Sequence, residues 1–362
     1  MKFIRSNFLL VFIITIGFLL VLGCHEAEGQ IRRKNTAKNK RIANYKGGAV
    51  NFKNEYKYWS VGFNINSTNY FGDITPTDKL TSLDINSTRL GLGTSLNYRL
   101  TPYLSLGSSL TWNRLYGDDY QSADPKDESS GVYRYNRNLH FRNDIMEFAA
   151  FGVVDLLDNR GSYFIRAVLV PYVFGGVAVF YHNPKAIAPT TDIHGAPLAE
   201  GGKWVPLRPL GTEGQHHPDY DVKAYSPFQL ALPFGLGVRY RLNNYFDLEL
   251  EFGYRFLFTD YIDDVSGNYV DPGALDSELA RAMSFRSLEP VAAVSGKERQ
   301  VSQDHYQYQS RYDSRNYHVL RGYGHDGTVN SRGNANDNDH YVVTSLKIKY
   351  ILHAKVRKVK FR

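Results

Sequence analysis

The chain has 362 residues, with 43 Lys and Arg against 36 Asp and Glu for a net charge of +7, 27 Tyr and 21 Phe within 14% aromatics, and one Cys; its mean hydropathy is -0.39. A single cysteine excludes a disulfide framework and a Cys-based zinc site. A polar average, with no second run of about 20 apolar residues after the first, excludes a bundle of membrane helices.

Lys2 and Arg5 precede an apolar run from Phe8 to Leu22, the length of a secretory h-region rather than of a bilayer span. The chain therefore reads as exported, with residues 1–29 as signal peptide. Two cleavage readings stand: a lipoprotein-like box, "VLGC", ending at Cys24, and an ordinary small-residue site after Gly29. A basic arm follows over residues 30–55, with Arg32, Arg33, Lys34, Lys38, Lys40, Arg41 and Lys46, and residues 353–362 form a second basic tail. An exported chain rarely meets nucleic acid, so such arms read either as solvated tails or as surfaces for lipid head groups or an acidic protein.

Between the arms, residues 56–352 carry eight segments in which apolar and small or polar residues alternate with period two. The first, near 57–68, sets Trp59, Val61, Phe63 and Ile65 against Ser60, Gly62, Asn64 and Asn66. The second (89–100) and third (103–115) repeat this with Leu90, Leu92, Leu96 and then Leu106, Leu110, Trp112 on one face. The fourth (144–156) is weaker and the fifth (163–180) almost uniformly apolar. The sixth (229–242) opposes Leu230, Leu232, Phe234 and Leu236 to Gly235, Gly237, Arg239 and Arg241, and the eighth (341–352) opposes Leu346, Ile348 and Tyr350 to Ser345, Lys347 and Lys349. The seventh, beginning "DLELEFGYRFLF", places Asp247, Glu249, Glu251 and Arg255 on one face and only Phe, Leu and Tyr on the other. Pro171 and Pro233 predict a bulge or a strand end inside the fifth and sixth segments.

Short connections at Thr101-Pro102, at Asp158-Asn159-Arg160-Gly161 and at Asn243-Asn244 alternate with long ones, the longest over 259–339. That alternation predicts an all-β, eight-stranded antiparallel transmembrane β-barrel, with short periplasmic turns and long extracellular loops, set in the outer membrane. An even strand count places both termini in the periplasm. Eight strands enclose only enough room for side chains. The inward charges Glu147, Glu249 and Glu251 are then expected to meet Arg89, Arg239, Arg241, Arg255 and Lys347 in a structural ion-pair network.

The loops hold few candidates for chemistry. His216, His217 and Asp219 lack further ligands at metal spacing. Asp260, Asp263 and Asp264 leave the seventh strand where Asp337 and Asp339 enter the eighth, a rim where calcium is conceivable and structural hydrogen bonding is the reading preferred. "DPGALDSELARAM" predicts a short helix capped by Asp271, with Leu275, Leu279, Ala282 and Met283 on one side. The Tyr-rich stretch after it is expected to be mobile. No Ser-His-Asp set, lipase-type serine motif or phosphate-cradling loop stands out, so neither catalysis nor a cofactor nor a metal is expected.

Several stretches, among them "YWSVGFNINSTNYFGDITP", "NRNLHFRNDIMEFAA", "WVPLRPLGTEGQ", "FTDYIDDVSGNYVD" and "RGNANDNDHYVVTSLKIKY", resemble the PorG-type outer-membrane barrels of the type IX secretion system, from about Tyr58 to Tyr350. The resemblance implies a non-enzymatic component that associates with periplasmic ring or lipoprotein components of the secretion and gliding machinery. Lys355, Arg357, Lys358 and Lys360 are the residues expected to meet such a partner. The alternative reading is a small barrel that binds a ligand or passes a solute.

Overall fold

The computed structural model describes residues 57–74, 87–127, 131–157, 165–324 and 330–352. The expected signal peptide, the basic arm, the tail with Lys355, Arg357, Lys358 and Lys360, and the turn at Asp158-Asn159-Arg160-Gly161 lie outside them.

Eight strands form a closed barrel: β1 (Trp59–Phe71), β2 (Arg89–Arg99), β3 (Leu104–Asp118), β4 (His140–Asp155), β5 (Leu169–Tyr181), β8 (Phe228–Arg241), β9 (Phe246–Leu257) and β12 (His340–Leu352). Each pairs antiparallel with its neighbour in that order, and β12 returns to β1, with Trp59 opposite Leu352 and Phe71 opposite His340. Two short strands, β6 (Pro184–Ile187) and β7 (Trp204–Pro206), extend β4 at the loop end, and β10 (His305–Gln309) pairs with β11 (Asn316–Leu320) as a hairpin within the longest loop.

The alternation in the sequence becomes an inside and an outside. Outward positions stay open to the surroundings, with Leu90 at 68% and Phe148 at 56% exposure, while Asn113 and Glu147, facing inward, are fully buried. A continuous apolar wall of this size does not face water; it faces lipid. Trp112, Met146, Tyr181 and Phe228 are successive cross-strand partners across β3, β4, β5 and β8, so one registered row makes an aromatic-rich border at the loop end. At the turn end Trp59 packs on Tyr98 and Phe246 on Tyr350. Rings at both borders of an apolar band are the signature of a bilayer's two interfaces.

The prolines act differently from each other. Pro171 lies just past the end of the β4 ladder, which begins at Tyr172 opposite Asp155. At Pro233 the β5–β8 ladder skips Gly176 and Val177, yet the register is the same on both sides, so the result is a gap rather than a bulge. The fifth strand begins six residues later than predicted, because Arg166 turns away to bind Asp247 and the carbonyls of Asn243 and Asn244. Glycines make room inside: a Cβ at Gly93 would come within 2.5 Å of the Thr111 methyl. Gly175, by contrast, is exposed on the outward face.

The long loops fold back as an ordered cap. Asp271 caps a 3-10 turn at Pro272–Ala274, and the α-helix begins only at Glu278 with Ser277 as its cap, so the single helix predicted there is two elements and Leu275 lies outside the helix. The Tyr-rich stretch expected to be mobile instead supplies the β10–β11 hairpin. Tyr308 there donates to Asp271, and Tyr317 to Asp313, fixing its sides to the cap.

Candidate functional site

The inward face of β9 is the middle of a charged lumen. Glu249 accepts from Arg239 at 2.6 Å and from Lys349 at 2.8 Å, and Arg239 also reaches Asp155 at 3.1 Å. One level outward, Glu251 accepts from Lys347 and Tyr172, each at 2.8 Å. Higher still, Glu147 takes Arg255 at 3.4 Å and the Tyr341 hydroxyl at 2.7 Å. At mid-height the wall of β1 to β3 is uncharged: Asn64 donates to Asn66 and Asn66 to Asn113, and Ser345 of β12 also donates to Asn66, while at the turn end Arg99 donates to the Tyr58 hydroxyl and to the carbonyls of Thr101 and Pro102. Voids of about 30 Å³ and 20 Å³ separate these layers, room for single waters.

Two expected members belong elsewhere. Arg89 is not in the network: it stacks on Tyr116 at 4.0 Å and donates to the Thr88 carbonyl. Gly93 stands at the level of Glu147, and Arg89 is four residues beyond it, about 13 Å along the strand. Arg241 donates to the Arg166 carbonyl at 2.6 Å, since its place at the inner end of β8 faces Asp247, which Arg166 already holds. The expected network left out Asp155, Arg166, Tyr172 and Tyr341, and also Asp247 and Lys349, although the sequence had put these last two on the polar faces of their strands. Asp155 was readable by parity with Glu147 along β4; Arg166 was not, because it reaches the lumen from a connection.

A second constellation seals the loop end. "LGTEGQ" and "FTDYIDDVS" meet there: Thr212 donates to Asp264 at 2.6 Å, and Glu213 accepts from the amides of Ser266 and Gly267. Arg332, from the segment leading into β12, binds Glu213 at 2.8 Å. Asp263 accepts from the amides of Ile74 and Val265, and Asp339 from the Tyr70 hydroxyl and the Ile262 amide. These acids cap backbone donors, which is a structural task. Asp337 stays exposed, and no group of three or more His, Cys, Asp or Glu among the described residues is placed to hold a metal ion.

Buried arginines rivet the same cap. Arg137 binds Asp119 at 2.8 Å and the carbonyls of Asp73 and Arg332, and Arg299 donates to the carbonyls of Tyr135 and Glu289. Burial, aided by the charges of Asp263, Asp73 and Glu213, pushes the Asp260 carboxyl up to about 9, and both of its oxygens lie buried without a hydrogen-bond partner. Asp264 rises to about 6, burial outweighing the pull of Arg332. Burial and the charge of Asp73 push the Asp263 carboxyl well above the carboxylate range, and burial with the charges of Asp263 and Asp260 does the same for Asp339. His216 and His217 do not act together: His216 lies 3.7 Å from Asp276, while the ring of His217 packs against Tyr312 at 4.5 Å.

A family model described as "Domain of unknown function (DUF6089)" matches residues 49–195. Comparison with curated proteins returned no match. Solved structures of small barrels align over most of the chain at low identity. Neisserial surface protein A has 9% identity, covering 81% of this chain and 96% of its own, with a TM-score of 0.31. The outer membrane protein OprG from Pseudomonas aeruginosa has 8% identity, covering 84% and 99%, with a TM-score of 0.34. Ail, the attachment invasion locus protein of Yersinia pestis, has 9% identity, covering 82% and 97%, with a TM-score of 0.29.

Proposed function

We propose that the protein is an outer-membrane barrel that serves as an anchor or assembly component for a periplasmic secretion complex, of the type IX kind, and that it is not an enzyme. The observation that carries the scaffold reading is the filled interior. Ion pairs and amide contacts occupy the lumen, the voids left are water-sized, and the loop end is closed by buried Arg-carboxylate pairs. A solute path would have to break several of these at once, which disfavours the solute-passing alternative. A protein that moves nothing through itself is left with its surfaces and its ends. The resemblance of "LGTEGQ" and "FTDYIDDVS" to PorG-type barrels supplies the secretion assignment, and the contact between those two stretches makes them one structural unit of the cap.

The test has two arms. Purified protein in a planar bilayer is expected to show no reproducible channels; regular conductance steps would remove the scaffold reading. Affinity capture from mildly solubilised envelopes is expected to bring down a periplasmic ring or lipoprotein component. Recovery of none, while a control barrel recovers its known partner, would remove the secretion assignment and leave the barrel.

A further inference from the structure

Just above the aromatic row at Trp112, Met146, Tyr181 and Phe228, the outward face changes from apolar to basic. Arg114 and Asp144 are cross-strand partners two residues beyond that row and neutralise each other at 2.6 Å. Two residues further out, Arg142 of β4 stands directly opposite Lys185 of β6, so both side chains lie on one face. The Arg142 guanidinium lies 4.3 Å from the centre of the Trp204 ring, and its Nε is buried without a hydrogen-bond partner. Among the described residues neither Arg142 nor Lys185 has an acid partner. The patch carries two uncompensated positive charges. It lies about 13 Å along a tilted strand above the apolar border, on the head-group side of that border.

We propose that Arg142 and Lys185 bind the phosphate of a lipid head group in the leaflet at the loop end. A guanidinium offers a planar fork to phosphate oxygens and an ammonium adds a point charge beside it. Trp204 keeps the Arg142 side chain extended over its ring, and an indole is at home at that interface. The occupant is a lipid rather than free phosphate because the patch adjoins the apolar wall that acyl chains cover. This inference goes beyond the scaffold reading and needs only the membrane-spanning fold.

The experiment reconstitutes the full-length protein in phosphatidylcholine nanodiscs doped with phosphorylated lipid A or with phosphatase-treated lipid A. Native mass spectrometry then counts the lipid A retained after transfer to detergent. The wild type is expected to retain the phosphorylated form selectively, and R142Q/K185Q to hold it about thirtyfold more weakly, the combined worth of two cations at a membrane surface. Heat-modified mobility on gels confirms that the variant is folded; if it is not, K185Q alone is expected to weaken retention about fivefold. Equal retention by folded variant and wild type, or equal retention of both lipids by the wild type, would overturn the proposal. Inorganic phosphate is expected to displace the lipid poorly, and displacement at comparable concentration would overturn the choice of a lipid as occupant.

Discussion

Thr212 and Asp264 are hydrogen-bonded at 2.6 Å across 52 positions of sequence, and the Arg332 guanidinium lies 3.9 Å from the same carboxylate. Two loops and the lead into β12 therefore meet at one buried point. Arg332 is 1% exposed, and Glu213 is its closest acid. Glu213→Gln leaves the Arg332 charge under-compensated in a dry site, and the expected loss of cap stability is about 3 kcal/mol. The barrel does not share this contact. Proteolysis should cut within the cap at lower protease concentration while the heat-modified band shift is kept; loss of both together would mean that cap and barrel fold as one unit.

The raised carboxyls of the cap set a direction for its pH response. Asp260 stands at about 9 in the folded cap against an ordinary 3.8, so the folded form holds a proton that the opened loop releases. Between those values the folded state binds more protons, and stability falls as pH rises. This contribution is complete below the ordinary carboxylate range and is lost as pH passes through about 9; Asp264 adds a smaller loss ending near 6. Hydrogen exchange over 260–267, corrected for its intrinsic pH dependence, should show more protection below pH 6 than above pH 9. Asp260→Asn should reduce the alkaline part of that response and leave the share of Asp263 and Asp339, whose carboxyls are raised as well. A cap equally protected at both ends, or one that loosens in acid, contradicts the assignment.

How much of this was legible beforehand follows from where the information is local. Strands declare themselves by neighbours two residues apart, so Leu230, Leu232 and Phe234 sort themselves from Arg239 and Arg241 without tertiary knowledge. The parity of Glu249 tells that it faces inward. It does not tell that Arg239 and Lys349 flank it while Arg241 lies beyond reach, since that depends on strand stagger. The cap was the least legible part. Tyr308 and Tyr317 look like a polar tract in isolation and become ordered only through Asp271 and Asp313. Arg332 has no periodicity to reveal it, and its partner Glu213 lies 119 positions away.

Inside the barrel, Glu249 separates two cations. It binds Arg239 at 2.6 Å and Lys349 at 2.8 Å, and all three side chains are nearly excluded from solvent. Glu249→Gln keeps the shape but leaves Lys349 without its acid and Arg239 with Asp155 alone, for an expected destabilisation of about 3 kcal/mol. Asp276→Asn in the cap, at a side chain 73% exposed, should cost less than about 0.5 kcal/mol. Urea unfolding in detergent, followed by the heat-modified band, separates the two. Similar midpoint shifts for both variants would show that the lumen charges are hydrated and worth little.

The last relationship joins the two ends of the chain. Trp59 and Leu352 are cross-strand partners, so the segments before β1 and after β12 leave the barrel side by side at the turn end. Their sequences are basic, and charges within a Debye length of one another, about 8 Å at physiological salt, act on a single surface. Anionic lipid and an acidic patch on a ring protein would both be attracted, and salt weakens both. Replacement of Lys355, Arg357, Lys358 and Lys360 with Gln lies outside the strands and should leave the barrel folded and inserted. Co-purification of the proposed periplasmic partner should fall, to the level that high salt produces with the wild type. Capture of the same complex by the variant at every ionic strength would free the tail of any role, and would move the search for the contact surface to the tight turns at Thr101 and Asn243, where the backbone is already fixed by Leu104 and Phe246.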